Sequence, residues 1–109
     1  MSAKIYQGED RTLKCFLKNE EDNAFDLTGV TEITATFQGA SSDVVVSMGA
    51  GDIAVSTPAG GGELTIALND TDSALLKKGL ISFEIEVDKG TEKRIVQFLQ
   101  ALTVVESLF

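Results

Sequence analysis

The feature that most constrains this chain is an alternation of apolar and polar residues with a period of two. Ile81, Phe83, Ile85 and Val87 alternate with Ser82, Glu84, Glu86 and Asp88. Successive side chains on an extended strand point to opposite faces, so this segment reads as a strand with one face in a core and one in water. The pattern recurs. Leu13, Cys15 and Leu17 alternate with Lys14 and Lys18, broken only by Phe16; Ile33, Ala35 and Phe37 alternate with Glu32, Thr34, Thr36 and Gln38. Leu64, Ile66 and Leu68 alternate with Glu63 and Thr65, and the run from Val44 to Met48 is short and β-branched. Five such runs in 109 residues predict a single all-β domain, an antiparallel β-sandwich spanning residues 1–109.

The connections carry turn chemistry. The polar string from Asn19 to Asn23 reads as a solvated tip, and Asp88-Lys89-Gly90-Thr91 as a hairpin turn in which Gly90 takes positive φ. Residues Gly49 to Gly62 hold five Gly and the only Pro, which predicts a long flexible loop with room for one short strand at Ile53 to Ser56. One short helix is expected after Leu68. Asn69 to Ser73 offer capping side chains, Ala74-Leu75-Leu76 favour helix, Lys77 and Lys78 suit its negative end, and Gly79 suits the position just past it.

The last third breaks the alternation. From Glu92 to Val105 there is no turn residue, and apolar residues fall on both phases: Ile95 and Leu99 on one, Val96, Phe98, Leu102 and Val104 on the other. Such a strand is covered on both faces or lies at a phase-shifting bulge. The sequence closes on Leu108-Phe109. Val96, Phe98, Leu102, Val104, Leu108 and Phe109 are therefore the expected partner interface.

Composition narrows the chemistry. The chain has no His, no Trp and one Cys, and 17 acidic residues against 9 basic ones give a net charge of −8. Without His there is no imidazole base, no His-Asp triad and no His-ligated zinc. Cys15 has no intrachain disulfide partner, lies on the apolar phase of its strand, and reads as an inert core thiol. Basic residues come no more than two together, at Lys77-Lys78 and Lys93-Arg94, so neither nucleic acid nor an anionic membrane surface is an expected partner. No apolar run approaches the ~20 residues of a membrane span, and Met1 to Asp10 lack the apolar core of a signal peptide, so a soluble protein made in the cytoplasm is expected.

Three motifs with chemical overtones have simpler readings. Asn69-Asp70-Thr71-Asp72 clusters oxygen ligands but lacks the later Gly and Glu of a calcium loop, and helix capping explains it. Glu84 and Glu86 share one strand face, as paired carboxylates of a glycosidase could, but they alternate with core residues and no Trp platform accompanies them. Gly60-Gly61-Gly62-Glu63 leads into a strand rather than the helix that a phosphate cradle needs. No catalytic residue, metal site or cofactor site is therefore expected, and the chain does not read as an enzyme.

The order of local motifs is more specific. Gly8-Glu9-Asp10 leads into the strand from Thr12 to Leu17. An acidic turn follows, then Phe25-Asp26-Leu27-Thr28-Gly29-Val30 before a strand beginning at Glu32. Further on come Gly62-Glu63-Leu64-Thr65-Ile66-Ala67-Leu68, the capped helix from Thr71 to Leu76, and Lys78-Gly79 before the next strand. This order, over about residues 7–105, resembles the immunoglobulin-like N-terminal domain of tailed-phage upper baseplate proteins and related phage tail modules. The resemblance implies an immunoglobulin-like sandwich of about seven strands with one short helix, in which Asp26 caps a turn, Leu27 plugs the end of the sandwich and Gly29 takes positive φ. It further implies a virion structural protein of tail or baseplate that acts by homo-oligomerisation and by docking on other virion proteins. The alternative from a different class is a carbohydrate- or cell-surface-binding module, which requires an exposed aromatic platform; the chain offers Tyr6 and six Phe for it.

Overall fold

The computed structural model describes residues 3–106. The strands are β1 (Ala3–Tyr6), β2 (Arg11–Phe16), β3 (Glu32–Phe37), β4 (Val44–Ser47), β5 (Ile53–Val55), β6 (Glu63–Leu68), β7 (Gly79–Asp88) and β8 (Lys93–Val105), with a short helix α1 (Asp70–Ala74) between β6 and β7. They form a five-stranded sheet of order β1-β8-β7-β3-β4 and a three-stranded sheet of order β2-β6-β5. Setting β2 to β8 against the strands B, C, C′, D, E, F and G of an immunoglobulin domain gives the same two sheets, G-F-C-C′ over B-E-D. The fold is thus the expected immunoglobulin-like sandwich, with eight strands among the described residues. It departs from a purely antiparallel sandwich at one place. Strand β1 pairs parallel with β8, Ala3 opposite Leu102 and Tyr6 opposite Val105.

The alternation read in the sequence becomes the core. Leu13, Cys15, Ile33, Ala35, Phe37, Leu64, Ile66, Leu68, Ile81, Phe83, Ile85 and Val87 are all buried. Phe16, which broke the pattern, points to solvent. Across the larger sheet Phe37, Phe83 and Phe98 lie in register on neighbouring strands and stack, with ring centroids 4.8 and 4.7 Å apart.

The Phe25–Val30 segment closes one end as expected. An Asp26 oxygen accepts from the Thr28 backbone N–H at 2.9 Å, Leu27 is buried, and Gly29 has φ +78°. Hydrogen bonding from the Thr28 hydroxyl, and then from this backbone N–H, holds the Asp26 carboxyl below its ordinary pKa. The Gly-rich stretch is more ordered than a flexible loop. It contains β5 and a single 3-10 turn at Ala59–Gly61, and a side chain at Gly62 (φ +71°) would meet the Leu17 carbonyl oxygen at 2.6 Å.

The helix is shorter than its sequence signals imply. Asn69 caps it, accepting from the Asp72 N–H at 2.8 Å, but Leu75 ends it. Lys77 and Lys78 lie beyond its last turn, and Gly79 (φ +99°) opens β7 instead of capping the helix. The reason is a competing contact. Leu76 is fully buried, and the Lys77 N–H donates to the Gln38 carbonyl, so the chain is drawn to the end of β3 before a second helical turn forms.

The Gly8-Glu9-Asp10 turn and α1 are one unit. Ser73, the only buried polar residue of the described chain, donates from Oγ to the Glu9 carbonyl at 2.7 Å and accepts from the Gly8 N–H at 3.0 Å. Asp10 accepts from the Asp70 N–H at 2.8 Å. The two motifs 60 residues apart that carried much of the resemblance thus meet in one lock that fixes the crossing from β1 to β2.

Candidate functional site

Strand β8 decides which surface is left open. Phe98 faces Phe83 and Leu102 faces Ile81, so four residues of β8 match two of β7. The surplus forms a bulge at residues 99–101, where Gln100 has φ +51° and donates its N–H to Ser82 Oγ at 2.9 Å. A one-residue bulge would swap the faces of the strand, but two extra residues restore them. The even positions therefore stay on the core side before and after the bulge.

That phase relocates the expected interface. Leu102 and Val104 are buried in the core, and Val96 and Phe98 pack half-buried against it. These four serve the domain's own core, because the bulge keeps them on the inward phase. Leu108 and Phe109 lie outside the described residues. The residues on the outward phase, Ile95 and Leu99, are 63% and 73% exposed. Strand β8 is thus neither covered on both faces nor switched in phase; its outer face exposes Ile95 and Leu99 on either side of Gln97. Ile95 and Leu99 were visible in the sequence as the minority phase, and only the size of the bulge settles which phase is outward.

The flank beside β8 is also open. Among the described residues, strand β1 covers β8 only along residues 102–105, leaving residues 93–99 paired on the β7 side alone. On the facing sheet β2 pairs with β6 and is itself an edge strand. An immunoglobulin domain of the constant type places strand A beside B. Here β1 runs on the other sheet, so the position next to β2 is vacant among the described residues. Two hollows mark this flank. One of about 390 Å³ is lined by Ala3, Arg11, Lys14, Cys15, Phe98 and Ala101, and one of about 440 Å³ includes Lys18, Phe25, Lys89, Arg94, Ile95 and Val96.

Backbone groups on the flank follow from the ladders. The Lys89 N–H donates to the Glu92 carbonyl, making this a hydrogen-bonded pair. Pairs in an antiparallel ladder alternate, so Arg94, Val96 and Phe98 turn their peptide groups to β7, while Ile95, Gln97 and Leu99 turn theirs to the flank. The same reasoning applies to β2. The Leu17 N–H donates to the Gly62 carbonyl, so Thr12, Lys14 and Phe16 aim their groups away from β6.

Cys15, Glu84 and Glu86 are tied into structure. Burial pushes the Cys15 thiol up to about 11, which suppresses its nucleophilic form at neutral pH. Glu84 accepts from Gln97 Nε2 at 3.0 Å, and Glu86 faces Lys93 at 3.6 Å, so this carboxylate pair forms part of a solvated sheet face. Among the described residues no three His, Cys, Asp or Glu side chains gather as a metal ion would need, and no helix is long and apolar enough to cross a membrane. Among the described residues the exposed aromatic ones, Tyr6 and Phe16, sit on different sheets, and Lys4 Nζ lies 5.2 Å from the Tyr6 ring centroid. They do not share a platform for a sugar. What the flank offers is free strand edge beside apolar side chains, which is the equipment for strand pairing with a protein.

The chain matches no protein-family model, and no curated protein matches it.

Proposed function

We propose that this domain is a non-enzymatic structural module of a phage or prophage virion, a tail or baseplate part that acts by self-association and by docking on neighbouring virion proteins. The observation that carries the self-association is the outward apolar phase of β8. Ile95 and Leu99 stand exposed beside an unpaired strand edge, a combination that proteins remaining monomeric ordinarily blunt. The assignment to a virion rests on the resemblance in motif order. It is supported by the lock between Gly8-Glu9-Asp10 and Asn69–Ser73, and by the Asp26-Leu27-Thr28-Gly29 turn, which hold structural positions in the sandwich. The acidic charge of −8 keeps the free subunit soluble before assembly.

Sedimentation velocity over a concentration series tests the first part: a reversible shift from monomer to a larger species is expected, and a monomer at millimolar concentration would overturn it. The genes flanking the coding sequence test the second. Tail or capsid genes on either side are expected; a wholly metabolic neighbourhood would remove the virion assignment.

A further inference from the structure

The outer face of the five-stranded sheet has an uneven composition. Its central strands present Ser82, Glu84 and Glu86 from β7 and Glu32, Thr34 and Thr36 from β3. Level with residues 93–99 of β8 its large apolar residues stand at the two sides, Ile95 and Leu99 on β8 and Val45, 59% exposed, on β4, while the exposed Leu80 and Tyr6 lie level with residues 103–105. An apolar residue at each edge, with a polar centre between, gains nothing within one copy. It does gain if the two edges meet.

The edges are matched in a second respect. The Met48 N–H donates to the Ile33 carbonyl, so β4 turns its even residues to β3 and the peptide groups of Val45 away from the sheet. On β8, Ile95 likewise turns its peptide groups away. On both edges, therefore, the residue with free backbone groups is the one whose side chain lies on the outer face. A pair placing Val45 opposite Ile95 satisfies the hydrogen bonds and brings the two apolar side chains together on one face. The flanking charges agree. Asp52, whose N–H holds the Ser47 carbonyl, lies at one end of β4, and Lys93 and Arg94 lie at the corresponding end of the open stretch when the two strands run antiparallel.

We infer that β4 of one copy adds to residues 93–99 of β8 in the next copy, antiparallel and with Val45 opposite Ile95, so that the larger sheet continues from subunit to subunit. The contact joins two different edges, so it repeats head to tail and yields a ring where the rotation closes and a filament where it does not. This inference rests on the self-association proposed above and names its interface.

The test uses the whole chain carrying Val45→Cys in one preparation and Ile95→Cys in another, mixed under mild oxidation. A hydrogen-bonded antiparallel pair places Cα atoms about 5.5 Å apart, within disulfide reach. The mixture is expected to form covalent dimers and neither variant alone to do so, with the wild type, whose Cys15 is buried, as control. Dimers from Val45→Cys alone would show β4 meeting β4 and would overturn the inference, as would the absence of dimers in the mixture. Val45→Pro supplies an independent reading. It removes the outward donor but no bond to β3, so the dilute protein should keep its circular dichroism while association weakens at least about tenfold. Association at wild-type strength counts against the pairing. If the wild type associates and both probes fail, this interface falls and self-association stands. If the wild type is monomeric, both fall.

Discussion

Phe83 and Phe98 stack face to face across β7 and β8, with ring centroids 4.7 Å apart and planes 8° apart. Phe37 continues the stack on the other side of Phe83, so three strands are tied by one row of rings. The row begins in the sealed core at Phe37 and ends at Phe98, half-buried on the open flank. Phe37→Ala should therefore cost about 3–5 kcal/mol of unfolding free energy, and Phe98→Ala distinctly less, because its ring already meets solvent on one side. Chemical denaturation of the dilute protein checks the order. An equal loss at both sites would mean that the flank is closed in the single chain.

The bulge on β8 makes its own prediction. Gln100 is held at φ +51° while its N–H donates to Ser82 Oγ, a conformation that glycine adopts without the steric cost of a Cβ. Gln100→Gly should be neutral or stabilising by up to about 1 kcal/mol, whereas a β-branched Gln100→Val should be destabilising. Thermal unfolding of the two variants measures this. The opposite order would place the strain elsewhere.

The bulge also marks the limit of what was legible in the sequence. Alternation at Ile33–Phe37, Leu64–Leu68 and Ile81–Val87 located strands and their inward faces correctly, because one side chain in two must leave water whatever the topology. The Asn69 cap and the Asp26 turn were readable for the same local reason. What escaped was set by non-local geometry. Both apolar phases of β8 were plain, but whether Val96–Val104 or Ile95–Leu99 faced outward depended on a bulge of two residues instead of one. The early end of α1 escaped likewise, since helix-favouring residues yielded to the burial of Leu76 against a distant strand. The parallel pairing of β1 with β8, which leaves β2 an open edge, has no local signature at all.

Cys15 lies 7% exposed on β2, and burial raises its thiol from 9.0 to about 11. Two pKa units cut the thiolate fraction about a hundredfold near neutrality, so native protein should react with a thiol reagent far more slowly than denatured protein. The sign of the pH dependence follows. The unfolded thiol ionises first, so its contribution to stability is intact below pH 9 and is lost as the pH rises toward 11. Cys15→Ala should flatten that alkaline decline. Denaturation midpoints measured across this range check it, and an unchanged slope would assign the decline to other groups.

Ser73 is the one buried polar residue among the described residues. Its hydroxyl is fully buried and serves three backbone groups: it donates toward the Glu9 carbonyl, accepts from the Gly8 N–H, and lies 3.3 Å from the Asp70 carbonyl. Removing it deprives the Gly8 N–H and the Glu9 carbonyl of their shared partner at a part-buried turn. Ser73→Ala should therefore cost about 1–2 kcal/mol, more than an ordinary exposed hydroxyl. Ser73→Thr keeps the hydroxyl but adds a methyl group where no surface is exposed, and should lose stability through crowding. The effect should also be local. Gly8 and Glu9 precede β2, so hydrogen exchange in Ser73→Ala should quicken first at residues 7–10 and in α1, while the Phe37–Phe83–Phe98 row stays protected. A uniform rise in exchange would mean that the lock is coupled to the whole sandwich and does not simply close the β1–β2 crossing.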